Sequence, residues 1–164
     1  MLRLILMRHA KSDWSHAGLS DHDRPLNKRG TASADALGHW LRSRELQPGE
    51  VLCSSAERTR QTLGRLGLPS QTPTRFTRTL YLAEADEMLA ELKSAAAPTV
   101  LMVGHNHGIA DMAHQLVKTP PDHERFDDYP TGSTLVCDFN AGSWNEIGWH
   151  QGQPTDFVIP RELS

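Results

Sequence analysis

The sequence predicts a single α/β domain: a sandwich around a largely parallel sheet, with an antiparallel element near its C-terminal end. Three observations carry this reading. Strand-like and helix-like segments alternate along the chain. Three strand candidates, residues 2–7, 51–53 and 99–103, each carry a short apolar run, as strands buried on both faces do. The last third instead carries two strand-like runs, 133–139 and 144–149, around Asn140, Ala141 and Gly142, which reads as a hairpin.

The elements follow in order. A polar loop spans roughly 10–26 after the first strand. Asn27 is placed as an N-cap, and Ala36, Leu37, Trp40 and Leu41 recur at helical spacing behind it. Pro48 and Gly49 stop that helix. The second strand runs into Ser54 and Ser55 and a short helix over 57–66, stopped by Gly67 and Pro69. Residues 78–82 suggest a short edge strand, and 86–96 a helix with Met88, Leu89 and Leu92 on one face. The third buried strand ends at Gly104 and His105. Ile109, Met112, Ala113, Leu116 and Val117 then form an apolar helical stripe. Residues 118–131 form a proline-containing loop, and the tail after Gly152 carries weak signals.

A chain of 164 residues suffices for one domain, 1–164, with a sizeable core. The formal net charge of -3 offers no global field for nucleic acid. No apolar stretch approaches the roughly 20 residues that span a bilayer, and no secretory signal is read ahead of the first strand. Cys53 and Cys137 both lie in strand-like context and read as buried thiols, so a cytoplasmic location is expected.

Of the nine histidines, His9 and His105 stand apart because each directly follows an apolar run. In a parallel sheet the C-terminal strand ends share one edge, where open α/β sheets place their ligand crevice. Three strand ends here deliver Arg8 and His9, then Ser54 and Ser55 with Arg58 on the following helix, then Gly104, His105 and Asn106. Alone, Arg8-His9 reads as a structural pair more readily than a catalytic one, and Arg58 as a solvated helix residue. Together, two arginines and two histidines suit a phosphoryl dianion. Arginine gives planar bidentate donors, a neutral imidazole nitrogen can attack phosphorus, and the remaining cations stabilise the equatorial oxygens.

The same residues resemble a known family. Leu6-Met7-Arg8-His9-Ala10 resembles the Arg-His-Gly signature of the histidine phosphatase (phosphoglycerate mutase-like) superfamily, with alanine in place of the usual glycine. Arg24-Pro25-Leu26-Asn27-Lys28-Arg29-Gly30 resembles a segment of its SixA-type phosphohistidine phosphatase branch. Ser54-Ser55-Ala56-Glu57-Arg58-Thr59-Arg60-Gln61-Thr62 and Val103-Gly104-His105-Asn106 resemble two further blocks, in family order. The resemblance covers residues 2–139 and implies a three-layer α/β/α, phosphoglycerate mutase-like fold. It implies His9 as a nucleophile forming a phosphohistidine, with Arg8, Arg58 and His105 on the phosphoryl oxygens. It implies no metal and no organic cofactor. The expected substrate is a phosphorylated protein histidine or a small phosphorylated metabolite.

The proton donor is not placed by any motif. Glu84, Asp86 and Glu87 are the candidates, and all three also read as helix-start acids that complement the macrodipole. Ser12 and Asn106 are candidate phosphate contacts, and Ser133 or Thr131 candidate ligand contacts. Lys11 reads as a solvated rim residue, and Trp14 as either loop packing or a substrate contact. The loop with His16, Asp21, His22 and Asp23 lacks diagnostic metal-ligand spacing. Three rival readings stand beside the phosphohistidine phosphatase. A metal-dependent hydrolase would use His105 and His107, a binding module would use the arginines without a nucleophile, and an ester phosphatase or mutase of the same superfamily would share the site.

Overall fold

The computed structural model describes residues 1–163. Its centre is a six-stranded sheet of β1 (Leu2–Arg8), β2 (Glu50–Ser54), β3 (Thr74–Thr77), β4 (Thr99–Gly104), β5 (Thr134–Phe139) and β6 (Gln153–Val158). The strand order is β3-β2-β4-β1-β5-β6. The pairs β2–β3, β2–β4 and β1–β4 are parallel, while β1–β5 and β5–β6 are antiparallel.

The apolar strands are apolar because both faces are covered. Side chains alternate across a strand. Leu4 and Leu6 of β1 therefore join one core with Val100, Met102, Met88, Leu92 and Met112. Ile5 and Met7 join a second core with Val51, Leu101, Leu37, Leu41 and Leu66. Helices α3 (Ala85–Lys93) and α4 (Gly108–Leu116) cover the first face, and α1 (Lys28–Ser43) with α2 (Glu57–Arg65) the second. The sandwich is three-layered, as expected. Asn27 caps α1 through its side chain, which accepts the Gly30 N–H at 2.8 Å.

Two glycines set how closely the layers meet at the site's edge. A β-carbon on Gly30 would lie 2.0 Å from the Lys11 carbonyl oxygen, and one on Gly108 would lie 1.8 Å from that of Ala83. Hydrogen alone fits at both places. The first contact seats the loop after β1 on α1; the second seats the start of α4 against the start of α3.

Two expected strands are corrected. The edge strand expected at 78–82 lies earlier, at Thr74–Thr77, and Arg78–Leu80 form a 3-10 turn. Its partner β2 is paired from Val51 to Ser54, so the pairing ends at Thr77. The Thr77 hydroxyl then accepts the Thr79 N–H at 3.1 Å and starts the turn. The hairpin strand expected at 144–149 is likewise absent, and Trp144–Glu146 form a 3-10 turn. Trp144 is apolar there because it is buried: its ring lies against Phe139 and its indole N–H donates to the Ala97 carbonyl at 2.7 Å. The strand that pairs β5 is β6, from the weak-signal tail. It is an edge strand containing Pro154, with a register shift between Val136 and Cys137. The remaining helices lie where the periodicity places them.

Candidate active site

Register brings the functional residues together. Arg8 pairs with Gly104 across β1 and β4, and Cys53 pairs with Val103 across β2 and β4. The chain therefore leaves the sheet at His9, Ser54 and His105 on one edge. The His9 N–H donates to the Gly104 carbonyl at 3.1 Å, and the two imidazoles lie 5.3 Å apart by ring centroid. His9, Arg58 and His105 are 5%, 3% and 2% exposed. Arg58, readable as a solvated helix residue by itself, is thus a buried cation.

The imidazoles are oriented by their neighbours. His9 Nδ1 lies 2.7 Å from the Ala10 carbonyl oxygen. A carbonyl only accepts, so this nitrogen carries the proton and Nε2 keeps the lone pair. The Ala10 N–H is held in turn by the Thr62 hydroxyl at 3.0 Å. His105 Nε2 is 2.7 Å from the Ser54 hydroxyl. That hydroxyl also accepts the Ala56 N–H at 3.3 Å, which fixes it between the end of β2 and the start of α2.

Five buried side-chain polar atoms lack a hydrogen-bond partner among the described residues: Arg8 Nε, Arg58 Nε, His105 Nδ1, Asn106 Oδ1 and Ser133 Oγ. All belong to the segments that converge here. Each unsatisfied buried group costs about 1–3 kcal/mol, so their concentration in one place marks a site held ready for a ligand. The two arginines supply donors, as an anion requires. Ser133, on the segment entering β5, adds an unpartnered hydroxyl. Ser12 is buried, and its hydroxyl accepts from Arg24 Nη1 at 2.8 Å. The Asn106 amide donates to the Asp128 carbonyl at 2.9 Å, so its donors hold the 128–129 turn instead of facing the anion site.

That turn matters for Arg8. Tyr129 adopts a left-handed backbone with φ 49°, a conformation that costs a non-glycine residue on the order of 1 kcal/mol. Its carbonyl accepts from Arg8 Nη1 at 3.1 Å. Its hydroxyl donates to the Leu6 carbonyl at 2.5 Å and accepts the Leu135 N–H at 3.1 Å, which locks the turn onto the sheet.

A second wall was not legible in the sequence. The Asp21 carboxylate accepts from Arg58 Nη2 at 3.0 Å, from Arg24 Nε at 3.1 Å and from the Tyr81 hydroxyl. Tyr81 stands edge-on to His105 at 5.5 Å and to His22 at 4.8 Å, and His22 Nε2 lies 2.8 Å from the Ser55 hydroxyl. The 10–26 loop is thereby folded back over the site. Arg24 anchors it and stacks on Trp14 at 3.4 Å, while Gln61 accepts the Leu26 N–H at 2.8 Å. The one signal pointing to this wall was the charge-dense Asp21-His22-Asp23-Arg24 run before Pro25; Tyr81 carried none.

Glu84 and Asp86 lie at the start of α3 and line a concavity with His107 and Asp111. Glu84 is the α3 N-cap, and Glu87 closes the cap by accepting the Glu84 N–H at 3.0 Å. Among the described residues, no group of three or more His, Cys, Asp or Glu side chains is placed to hold a metal. No described helix is long and apolar enough to cross a membrane. Cys53 and Cys137 are buried, free thiols, each pushed up to about 12 by burial.

The electrostatics follow from burial beside fixed cations. Burial holds His9 well below its ordinary 6.5, with His105, Arg8 and Arg58 adding to the shift. Burial and Arg58 bring His105 down to about 3. Burial alone would raise Asp21, but hydrogen bonds from Tyr81 and Arg58 carry it down to about 2. Both histidines are therefore neutral at pH 7, and Asp21 is ionised. A histidine depressed in the native state takes its proton first in the unfolded chain. The stability is complete above about pH 6.5 and falls as pH drops toward the native values, by up to about 1.4 kcal/mol per pH unit for each histidine. Thermal unfolding between pH 7 and 4 is expected to show this decline beginning near pH 6.5. His105→Asn should flatten it; an unchanged slope would count against His105 as its source.

The geometry agrees with three comparisons. The sequence pattern of the histidine phosphatase superfamily (branch 1) matches residues 4–81. An uncharacterized protein of Mycobacterium leprae is 32% identical over 164 residues, covering 94% of this chain and 100% of that one. The solved structure of a protein from Nakamurella multipartitia, assigned as phosphohistidine phosphatase SixA, superposes with a TM-score of 0.84 at 32% identity. The match covers 97% of this chain and 96% of that one. The protein histidine phosphatase SixA complexed with tungstate shares the fold, with a TM-score of 0.80 at 20% identity over 99% and 100% of the two chains. With two histidines and two arginines gathered at one sheet edge, this chain belongs to the histidine phosphatase superfamily (branch 1), in its SixA-type branch.

Proposed function

We propose that this chain is a metal-independent phosphatase that hydrolyses phosphohistidine, or a related phosphoramidate, through a phosphohistidine formed on its own His9. The observation that carries the reading is the His9 imidazole. It is buried, fixed by the Ala10 carbonyl with Nε2 bare, and surrounded by the unpartnered polar atoms of Arg8, Arg58 and His105.

The reaction runs in two steps. The Nε2 lone pair attacks phosphorus, the substrate P–N bond breaks, and the departing imidazole nitrogen takes a proton from solvent water. Water then attacks the phosphorus on His9, the P–Nε2 bond breaks with its electron pair returning to Nε2, and inorganic phosphate leaves while the attacking water's surplus proton returns to solvent. Arg8, Arg58 and His105 hold the equatorial oxygens through both steps. Asn106 and Tyr129 position Arg8, and Ser12 positions Arg24 beside Asp21. A phosphoramidate suits this site because Asp21, the carboxylate nearest Arg58, is held near 2 and stays ionised, so it cannot donate a proton. A leaving imidazole needs that help less than an alkoxide does.

Ester hydrolysis is the second reading, and the placement of Glu84 beside the start of α4, three residues after His105, favours it. One substrate panel separates the two: phosphohistidine protein, phosphoramidate and alkyl phosphates, each with and without chelator. Faster turnover of the P–N substrates, unchanged by chelator, is expected. Glu84→Gln should lower ester turnover about 100-fold and phosphoramidate turnover less than about 3-fold; Asp86→Asn tests the neighbouring carboxylate in the same way. Equal rates on alkyl phosphates and phosphohistidine would overturn the P–N preference, and loss of activity in chelator would overturn metal independence.

A further inference from the structure

A second concavity lies beyond the 128–132 turn. It has a volume of about 740 Å³ and is lined by Lys11, Arg29, Arg125 and Arg161, with no Asp or Glu among its lining residues. In a chain of formal net charge -3 this is a local concentration of positive side chains. Arg125 shares its charge with Asp128 at 2.8 Å. Lys11 and Arg29 are exposed and form no ion pair among the described residues.

One turn separates the cleft from the anion site. The Tyr129 carbonyl faces Arg8, while the next two residues, Pro130 and Thr131, line the cleft. The Gly132 N–H then bonds the His9 carbonyl at 2.9 Å, and Lys11 follows His9 by two positions. Anything whose phosphoryl group sits on His9 therefore has the cleft beside it.

We infer that this cleft docks acidic side chains flanking the phosphohistidine of a protein substrate. The inference rests on the function proposed above. At about 30 Å³ per water the cleft holds on the order of two dozen waters, room for a chain segment rather than one phosphate. Its cations come from four separate stretches: the loop after β1, α1, the 118–133 loop and the Pro160–Leu163 turn. That spread matches several carboxylates along a peptide, and the apolar Ile159 and Pro160 offer contact to its methylenes.

The test uses phosphohistidine peptides flanked by glutamate or by glutamine, with phosphoramidate as a small control. At low salt the glutamate peptide is expected to show kcat/KM about 10-fold above the glutamine peptide, a preference lost as salt screens the cleft. The double variant Lys11→Gln with Arg29→Glu should abolish the preference and leave phosphoramidate turnover unchanged. An acid at position 29 lies in the first turn of α1, where the helix dipole favours it, so the fold is kept. Equal turnover of the two peptides by the parent, or a preference surviving in the variant, overturns the proposal. If no P–N substrate is turned over, the proposed function fails, and binding of the unphosphorylated peptides by fluorescence anisotropy still decides the cleft. Glutamate-selective binding lost in the variant supports it, and equal binding overturns it. Saturable binding of inorganic pyrophosphate, lost in Arg29→Glu without any glutamate preference, overturns the peptide and assigns the cleft to a small polyphosphate.

Discussion

Replacing His9 with alanine is expected to lower turnover at least about 10⁴-fold while the protein stays folded. The imidazole makes one side-chain hydrogen bond, to the neighbouring Ala10 carbonyl, so its loss disconnects no distant segment. The backbone N–H of residue 9 still bonds Gly104 in the variant, which keeps the strand end in place. What disappears is the Nε2 lone pair that bonds phosphorus. Rapid quench of the parent enzyme with a radiolabelled P–N substrate, followed by peptide mapping under alkaline conditions, should find the label on His9. The alanine variant should yield none. Label on any other residue, or turnover at the parent rate in the variant, would falsify the mechanism.

Arg58→Met is expected to cost about 10³-fold in turnover, with a small effect on stability. The methionine keeps the buried volume of the stem and removes the charged fork. Three features are lost together: the buried, unpartnered Nε, and the two bonds to the Asp21 carbonyl and carboxylate at 2.7 and 3.0 Å. Deleting one member of a buried ion pair is normally severe because it strands a charge. Here the stranded partner is Asp21, whose side chain is 42% exposed and keeps Arg24 and Tyr81. The loss also relieves Arg8 and His105, both of which Arg58 pushes toward their neutral forms. The His105 imidazole should therefore titrate at higher pH in the variant. An NMR titration reads this directly, and an unmoved His105 together with parent-like turnover would remove Arg58 from the site.

The two effects differ in kind. His9 supplies a bond-forming atom, so no other residue substitutes for it. Arg58 supplies charge and direction, so Arg58→Lys should recover part of the loss through charge alone, without the bidentate fork. Holding the Arg8 and Arg58 charges close enough to repel, with three of their neighbours' polar atoms left unpartnered, works against folding and is tolerated because two apolar cores flank the sheet.

How far the sequence reaches can be seen strand by strand. The apolar runs of β1, β2 and β4 are covered on both faces, so their burial follows from composition. Arg8, His9, Arg58 and His105 were visible because each follows such a run or sits one turn beyond it. The edges were less legible. In β6 the pattern is weak because an edge strand, half exposed and carrying Pro154, has little apolar surface to hide. Trp144 misled for the opposite reason: its burial comes from a turn packed under β5, and apolarity alone does not say which element hides a side chain.

The sequence by itself determined the α/β class, the nucleophile candidate and the anion-binding pattern, because these depend on local runs and on residue types at strand ends. The tertiary structure alone decided the rest. It set the tautomer of His9 through the Ala10 carbonyl, the pairing of Asp21 with Arg58 and Tyr81, and the turn at Tyr129 that aims Arg8. It also gathered Lys11, Arg29, Arg125 and Arg161 into one cleft. These are contacts between segments tens of residues apart, fixed by how helices and loops pack on the sheet, and no local pattern in the chain encodes them.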